Sequence, residues 1–224
     1  MNKLNHIAFI MDGNGRWGLK KRRSRNYGHL NGVKTVQKIV EASIIFKVPI
    51  ISFYVFSSEN WKRPKAEIKY LFNLIKIYFK KEINNIIKNK IKINVIGRLN
   101  HLPKDVKNTL LNVIKKTKKN KKLIVNLAIN YGSKNEIIDS TKKIQQSNKK
   151  INHQNIEKNL YSSLPFPDIL VRTGGQKRLS NFMLWQLAYA EIFFLDKLWP
   201  DFSKNDLSKI IKKFHKIKRN FGSI

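Results

Sequence analysis

The chain contains no cysteine among its 224 residues. Disulfide bonds and thiolate-bound zinc are therefore excluded, and the composition agrees with a reducing compartment, so we expect a cytoplasmic location. No apolar run approaches the ~18 residues that a membrane-spanning helix needs. The first apolar run begins within a few residues of Met1, and for that reason we expect no secretory signal peptide.

Acidic residues are scarce, since 14 aspartates and glutamates stand against 46 lysines and arginines and give a formal net charge of +32. Such a charge is typical of proteins that contact nucleic acid or an anionic membrane. The excess is mostly lysine, spread beside abundant asparagine and isoleucine, and these three residues share A/T-rich codons. No nucleic-acid recognition motif accompanies the charge, so we expect no nucleic-acid partner. Peripheral association with the anionic inner face of a membrane is the remaining expectation, and salt should weaken it.

Alternating strand-like and helix-like segments predict an α/β fold, with a mostly parallel central sheet of about six strands flanked by helices. The length and the hydrophobic fraction of 42% suit one substantial core, and we predict a single domain over residues 1–224. The predicted strands cover residues 7–11, 50–56, 91–96, 123–129, 168–171 and 192–195. The predicted helices cover residues 29–46, 64–88, 103–119, 133–147, 152–162 and 203–219.

The most informative segment begins with the apolar run 7–11 and continues as Asp12-Gly13-Asn14-Gly15-Arg16-Trp17. Glycines let backbone N–H groups approach an anion closely, and arginines donate forked, permanently charged N–H groups to phosphate oxygens. Asp12 does not suit a bare phosphate site, because a carboxylate repels phosphate. A divalent cation such as Mg²⁺ between the two would reconcile them. The alternative, an ordinary turn with a solvated basic face, explains the glycines and leaves Asp12 unexplained.

Five blocks of the chain, in order and at matching spacing, resemble the cis-prenyltransferases, the undecaprenyl diphosphate synthase family. A lone Asp-Gly-Asn-Gly would be weak support, but the resemblance extends over residues 6–202. The blocks are the segment 6–17, Tyr27-Gly28-His29, Phe56-Ser57-Ser58-Glu59-Asn60-Trp61-Lys62-Arg63-Pro64, Asn130-Tyr131-Gly132, and a long last block that contains Arg172-Thr173-Gly174-Gly175 and Arg178-Leu179-Ser180-Asn181-Phe182.

The resemblance implies a Mg²⁺-dependent transferase that condenses isopentenyl diphosphate units onto an allylic diphosphate, such as farnesyl diphosphate, with cis stereochemistry. The expected product is a long-chain polyprenyl diphosphate, undecaprenyl diphosphate for the carrier lipid of peptidoglycan precursors. Val55 stands where relatives often carry alanine, so a medium-chain product is an alternative. A non-catalytic partner subunit of the same fold is a weaker alternative, because it should have lost the loop aspartate or the arginines.

The same resemblance assigns roles to individual residues. Asp12 helps to hold Mg²⁺ on substrate diphosphate, and its loss should reduce activity most. Glu191 lies in a block associated with the metal site and with the contact of a homodimer. Ser57 and Asn60 are expected members of a hydrogen-bond relay for proton removal, with helix capping before Pro64 as the alternative. The residues expected to bind substrate are Gly13, Asn14, Gly15, Arg16, Trp17, Arg25, His29, Ser57, Ser58, Glu59, Asn60, Trp61, Arg63, Arg172, Arg178 and Ser180.

Two further expectations concern departures from the family and the apolar parts of the fold. Gln176 and Lys177 stand where relatives carry an acidic residue and, in a bacterial homologue, histidine, which puts any metal shell beyond Asp12 in doubt. The helix 64–88 and the strand 50–56 are the expected walls of the family's apolar tunnel. The aromatic residues of 193–194 and 199–202 are expected to pack in the core.

Overall fold

Six strands form one sheet in a computed structural model that describes residues 2–220. They are His6–Ile10 (β1), Ile50–Ser57 (β2), Ile91–Ile96 (β3), Leu123–Tyr131 (β4), Ile169–Arg172 (β5) and Glu191–Phe194 (β6). Their spatial order is β3-β4-β2-β1-β5-β6, and every neighbouring pair is parallel. The predicted parallel α/β sheet of about six strands is therefore confirmed.

Helices connect these strands and cover both faces of the sheet. The α-helices are Asn14–Lys20 (α1), Arg25–Ile45 (α2), Lys65–Lys88 (α3), Lys104–Thr117 (α4), Ser133–Gln146 (α5), His153–Asn159 (α6) and Lys204–Lys216 (α7). Short 3-10 helices cover Ser58–Lys62, Leu99–His101 and Trp199–Asp201. Within residues 2–220, no helix is long and apolar enough to cross a lipid bilayer.

Side chains from the two faces of the sheet enter two separate hydrophobic clusters. Ile7 and Phe9 join the larger cluster, which includes α2, α3, α4 and α7, whereas Ala8 joins the smaller cluster on the other face. Trp199 and Phe202 are 1% and 2% exposed, as predicted for core residues. The prediction was wrong for Phe194, which is 36% exposed, because β6 is an edge strand and leaves one of its faces partly uncovered.

Helix α1 is the main departure from the sequence prediction, in which the first helix begins at residue 29. Gly13 adopts φ +105°, a left-handed conformation, and lies at the N-cap of the helix. Gly18 then lets α1 approach the start of α2, because a Cβ on it would lie 2.2 Å from the Ser24 carbonyl oxygen. Apolar periodicity could not predict this helix, since its packing uses glycine backbone instead of large apolar side chains. The helix predicted over residues 29–46 is α2, which begins earlier, at Arg25, and ends at Ile45.

A row of polar side chains, the polar ladder, crosses the sheet from the buried His6, Ser52 and Asn126 to the half-buried Asn94. Asn94 donates to Asn126 Oδ1 at 2.9 Å, Asn126 donates to Ser52 Oγ at 2.8 Å, and Ser52 lies 2.7 Å from His6 Nε2. His6 Nδ1 contacts the Pro165 carbonyl oxygen at 2.6 Å, so Nδ1 carries the proton and Nε2 accepts from Ser52. Burial lowers the pKa of His6 from 6.5 to about 4, which keeps the imidazole neutral.

Candidate active site

Polar side chains line a cavity of ≈ 630 Å³, the polar cavity, at the carboxyl ends of β1, β2 and β5. Parallel α/β folds place ligand sites at this edge, beside the strand where the chain order changes direction, which here is β1. The predicted residues that line it are Asp12, Asn14, His29, Ser57, Glu59, Asn60, Arg63, Arg172, Arg178 and Ser180. An adjoining cavity of ≈ 120 Å³ adds Gly13, Gly15, Arg16 and Arg25.

Asp12 lies between two arginines directly after β1. Its carboxylate accepts from Arg16 Nη2 at 3.2 Å and from Arg172 Nη2 at 2.9 Å. Its main-chain carbonyl accepts from Thr173 Oγ1 at 2.8 Å and from the Trp199 N–H at 3.0 Å. These bonds fix the residue, yet 28% of its side chain is exposed. Asp12 is therefore held in place and still accessible to a ligand.

Gly174 allows Asp12 and Arg16 to pair, because a side chain at position 174 would collide with both of them. Arg16 Nη2 donates to the Gly174 carbonyl oxygen at 2.8 Å. Gly174 has φ +88°, and a Cβ there would lie 2.6 Å from Arg16 Nη2 and 3.2 Å from Asp12 Cβ. The glycine thus provides both a left-handed turn and the space that the carboxylate–guanidinium pair occupies.

Arg172 is a buried cation that contacts two other predicted substrate-binding residues, Arg178 and Ser180. Its side chain is 3% exposed, and Nη1 donates to Ser180 Oγ at 2.8 Å and to the Arg178 carbonyl oxygen. Its Nε has no hydrogen-bond partner among the described residues. Arg178 in turn donates from Nη1 to Gln176 Oε1 at 2.5 Å. A buried guanidinium with an unused donor suits an anionic ligand.

Glu67 joins three of the predicted substrate-binding side chains, and the sequence interpretation missed it. Its carboxylate accepts from Arg25 Nε at 3.1 Å and Nη2 at 3.3 Å, and from Arg63 Nη1 at 3.2 Å. His29 Nε2 lies 3.1 Å from the same carboxylate. The one available signal was the spacing of four residues between Arg63 and Glu67, which is typical of an ion pair at the start of a helix.

Burial and charge set the protonation states of this group. Burial raises the pKa of Glu67, but the hydrogen bond and the charge of Arg25, together with His29, outweigh burial and leave the pKa below its ordinary value. Burial lowers the pKa of His29 despite the opposing effect of its hydrogen bond to Glu67. We therefore assign an ionised Glu67 and a neutral His29 whose Nε2–H donates to it.

Ser57 and Asn60 show the capping contact that was the alternative to a proton relay. The Ser57 N–H donates to Asn60 Oδ1 at 3.1 Å, at the start of the 3-10 helix Ser58–Lys62. Both residues also line the polar cavity. Capping therefore coexists with a position facing the cavity, and the relay stays a prediction.

Three predicted substrate-binding residues do not line the cavities at this edge of the sheet. Trp17 Nε1 donates to Asp201 at 2.7 Å, and Trp61 Nε1 donates to Asn130 Oδ1 at 2.8 Å. Ser58 Oγ donates to the neighbouring Glu59 carboxylate at 3.1 Å. These side chains hold the loops around the cavity, and in this conformation they are not part of its wall.

Glu191 lies at the opposite end of its strand from the polar cavity. It pairs with Ile169 at the amino end of β5, three residues before Arg172, or about 10 Å along the strand. Its carboxylate lies 3.5 Å from Arg219 Nε. The structure does not bring Glu191 to Asp12 within one chain. Across residues 2–220, no group of three or more His, Cys, Asp or Glu side chains could hold a metal ion.

Two apolar cavities continue from the polar cavity between α2 and α3. The first has a volume of ≈ 130 Å³ and shares with the polar cavity Met11, Asn14, His29, Val55 and Leu71. The second has a volume of ≈ 160 Å³ and shares with the first Val36, Tyr78, Phe79 and Leu127. The helix and the strand predicted as walls of an apolar tunnel, α3 and β2, both line the first cavity.

Comparison with known proteins places this site in a family. The family model Prenyltransf, described as "Putative undecaprenyl diphosphate synthase", matches residues 10–222. Isoprenyl transferase of Rickettsia bellii is 45% identical over 224 residues, covering 99% of each chain, and that of Fusobacterium nucleatum is 41% identical over 220 residues, covering 98% of this chain and 96% of the relative.

Solved structures agree with this match over the whole fold. A probable undecaprenyl diphosphate synthase from Campylobacter jejuni is 38% identical, with a TM-score of 0.86 and coverage of 100% of both chains. Lavandulyl diphosphate synthase from Lavandula x intermedia, in complex with dimethylallyl diphosphate, is 26% identical, with a TM-score of 0.93 and coverage of 98% of both chains.

Proposed function

The chain belongs to the undecaprenyl diphosphate synthase family, and from that membership we propose that it elongates an allylic diphosphate with isopentenyl diphosphate in cis configuration. The proposed primer is farnesyl diphosphate, and the proposed product is undecaprenyl diphosphate for the carrier lipid of peptidoglycan precursors. One observation carries the proposal. Two groups of cationic side chains flank Asp12 in one cavity, and that cavity shares its wall with an apolar cavity.

The two cationic groups suit the two diphosphates of the reaction. Arg25 and Arg63, together with the neutral His29, converge on Glu67 on one side, and Arg172 with Arg178 lies on the other. In the reaction the allylic carbon–oxygen bond breaks, and diphosphate leaves with the electron pair. The allylic carbon bonds to the terminal alkene carbon of isopentenyl diphosphate, and a proton then leaves the carbon next to the new cationic centre. Preorganised cations stabilise the charge that develops on the leaving group.

The residues present also fit the proposed Mg²⁺. This ion uses one or two carboxylates together with substrate phosphates and water, so Asp12 alone on the protein side is sufficient. Asp12 meets this need because its carboxylate is 28% exposed and the residue lines the adjoining cavity. Bound there, Mg²⁺ would offset the negative charge of the diphosphate. Arg16 and Arg172 orient the Asp12 carboxylate, and Ser57 with Asn60 is the proposed relay for the departing proton.

The apolar cavities suit the growing hydrocarbon. Their walls come from α2, α3, β2 and β4, and Val55 lies where the first apolar cavity meets the polar cavity. Hydrocarbon leaves water favourably in such a space. A chain that lengthens by additions at the polar end would push its older end away from the diphosphates and between the two helices. Val55 is bulkier than alanine and lies at the entrance to the apolar cavity. A shorter product is therefore one of the outcomes that the assay distinguishes.

We also propose that the protein forms a homodimer through the edge of the sheet at β6. Ile192 and Phe194 on this edge are 40% and 36% exposed, and Tyr189 just before it is 66% exposed. A contiguous exposed apolar surface beside an unpaired strand edge is typical of a protein interface. Glu191 lies on the same strand, so its predicted metal role would require the approach of a second copy.

Peripheral association with an anionic membrane is a further part of the proposal, supported by the net charge of +32. Co-sedimentation with vesicles containing phosphatidylglycerol should exceed that with phosphatidylcholine vesicles, and salt should abolish the difference. Equal binding to both vesicle types would contradict it.

The activity test uses the purified chain with farnesyl diphosphate, labelled isopentenyl diphosphate and Mg²⁺, and resolves product by chain length. We expect long-chain product that disappears with EDTA and returns when Mg²⁺ is added in excess. A medium-chain product would support the proposed reaction and contradict the proposed product length. No incorporation by folded protein would overturn the proposed function and favour a partner subunit.

A further inference from the structure

Asn181 lies where loops from three parallel strands meet, and no role was assigned to it from the sequence. Its Nδ2 donates to Glu59 Oε1 at 2.7 Å, in the loop after β2. Its Oδ1 accepts from the Lys134 N–H at 2.9 Å, and its main-chain carbonyl accepts from the Ser133 N–H at 2.8 Å, both after β4. Asn181 itself belongs to the loop after β5, and it lines the polar cavity.

The backbone around Asn181 is held in a rarely used conformation. Ser180, Asn181 and Met183 have φ of 50°, 63° and 47°. Asparagine tolerates this left-handed region better than most residues. Tyr54 Oη donates to the Ser180 carbonyl oxygen at 3.3 Å, and Ser133 Oγ accepts from the Leu184 N–H at 2.9 Å. The contacts on both sides of Asn181 therefore fix the loop that carries Ser180 Oγ.

The contact with Glu59 makes Asn181 a bridge between two parts of the site. Burial raises the pKa of Glu59, but hydrogen bonds from Asn181, Ser57 and Ser58 outweigh burial and lower it. Glu59 is therefore ionised, and its carboxylate accepts from Asn181 on one oxygen and from Ser58 on the other. One side of this bridge carries Ser57 and the other carries Ser180.

We propose that Asn181 is a positioning residue that sets the separation between the loop after β2 and the Arg172–Ser180 group, and so places the second diphosphate against the first. The inference rests on the proposed function, because only a reaction between two diphosphates makes this separation matter. Reacting atoms must be held to within a fraction of an ångström, and a misplacement of about 1 Å can cost about 10²-fold in rate.

The first test replaces Asn181 with glycine, which keeps the left-handed backbone and removes both side-chain hydrogen bonds. We expect Asn181→Gly to lower kcat/KM for isopentenyl diphosphate by about 10- to 100-fold. The KM for farnesyl diphosphate should change by less than about twofold, because the group around Glu67 is untouched. Asn152→Gly is the matched control, since it removes a comparable asparagine cap from α6. The control should leave both constants unchanged.

The second test reverses the polarity of the bridge. Asn181→Asp alone places two carboxylates against each other and should reduce activity at least as much as Asn181→Gly. Combined with Glu59→Gln, it restores one hydrogen bond, from the new amide at 59 to the new carboxylate at 181, with the original net charge. We expect the double variant to be more active than Asn181→Asp alone and to lie within about fivefold of Glu59→Gln alone, which is measured beside it.

Three results would overturn the inference while wild type stays active. In the first, Asn181→Gly is as active as wild type. In the second, the fall in activity of the double variant equals the falls of the two single variants multiplied together. In the third, both KM values rise equally and thermal stability falls. The last result would assign Asn181 a purely structural role. An inactive wild-type protein would instead overturn the proposed function, so the two failures are distinguishable.

Discussion

The polar cavity and the polar ladder are two polar regions of the same sheet, and they differ in how completely their hydrogen bonds are satisfied. In the ladder, each link from Asn94 to His6 has a donor and an acceptor within hydrogen-bond distance. In the cavity, Arg172 Nε and Asn14 Oδ1 are buried without a partner in the described part of the chain. Both regions lie on parallel strands, so strand geometry does not cause the difference.

The difference separates a structural role from a ligand-binding role. Buried polar groups in proteins are nearly always paired, because an unpaired one costs about 1–3 kcal/mol. The ladder avoids that cost and gives the middle of the sheet a fixed register. Both unpaired atoms belong to residues that line the polar cavity, which is large enough for a ligand. We therefore expect changes in the cavity to alter activity and changes in the ladder to alter stability.

The strongest test of this separation is Asp12→Asn. The amide still accepts a hydrogen bond from Arg172 but carries no charge for a cation or for the paired guanidinium of Arg16. We expect kcat/KM to fall by about 10³-fold, the upper range for losing one preorganised electrostatic group. Steady-state kinetics at a temperature where the variant is folded measures this loss, because the buried Arg172 also loses its paired charge and stability falls. A variant within tenfold of wild type would remove Asp12 from the proposed chemistry.

A fall in pH should affect the polar ladder, and there it should reduce the stability of the fold before it reduces activity. Unfolded His6 binds a proton below pH 6.5, whereas folded His6 binds one only near pH 4. Stability that is complete above pH 6.5 is therefore lost as the pH falls through this window, by about 3 kcal/mol in all. Urea unfolding between pH 7 and pH 5 measures the first part of this loss.

The matching variant for the acid experiment is His6→Gln. His29 and the carboxylates titrate in both proteins, so the difference between the two pH profiles isolates His6. We expect the free energy of unfolding of His6→Gln to depend less steeply on pH than that of wild type. Identical profiles would mean that His6 does not carry the effect.

Ser52→Ala breaks the ladder at its centre and should cost about 2 kcal/mol of unfolding free energy. It leaves His6 Nε2 without a donor and the Asn126 amide without an acceptor. Ser43→Ala is the control, because Ser43 is equally buried but donates only to the Ile39 carbonyl of its own helix. Chemical denaturation should separate the two variants, and activity per folded molecule should be the same in both. A loss of activity in Ser52→Ala would break the separation of roles.

Apolar patterning predicted the sheet and most helices, because strands buried on both faces and long amphipathic helices leave strong periodic signals. It could not predict α1, whose contacts are made by Gly18 and its neighbours through backbone. The site residues were predicted through family motifs, and the structure brings most of them to one edge of the sheet. Their roles stay predictions.

Glu67 and Asn181 were missed for different physical reasons. Glu67 lies in the first turn of α3, where an acidic residue is ordinary, and only the fold brings Arg25 and His29 to it. Asn181 acts through contacts with residues after β2 and β4, far away in sequence. Phe194 was wrongly predicted to be a core residue, since an apolar residue in a strand pattern does not reveal that its strand is at the edge of the sheet.

Glu67→Gln gives the smallest expected effect and sharpens the comparison within the cavity itself. Glu67 is 9% exposed and saturated by Arg25, His29 and Arg63, so it resembles the ladder more than it resembles Asp12. The amide keeps one acceptor and introduces a donor that faces cations. We expect the KM for farnesyl diphosphate to rise by about tenfold, or about 1.4 kcal/mol, with kcat reduced much less, because the arginines lose orientation and not charge.

The control for Glu67→Gln is Asp105→Asn, which removes an exposed ion pair between α4 and Lys76 of α3, the helix that also carries Glu67. It should leave the KM unchanged. Initial rates over a range of farnesyl diphosphate concentrations give kcat and KM for both variants. A fall in kcat as large as that of Asp12→Asn would mean that Glu67 acts in the chemical step, and satisfied hydrogen bonding would then no longer distinguish positioning groups from reacting ones in this cavity.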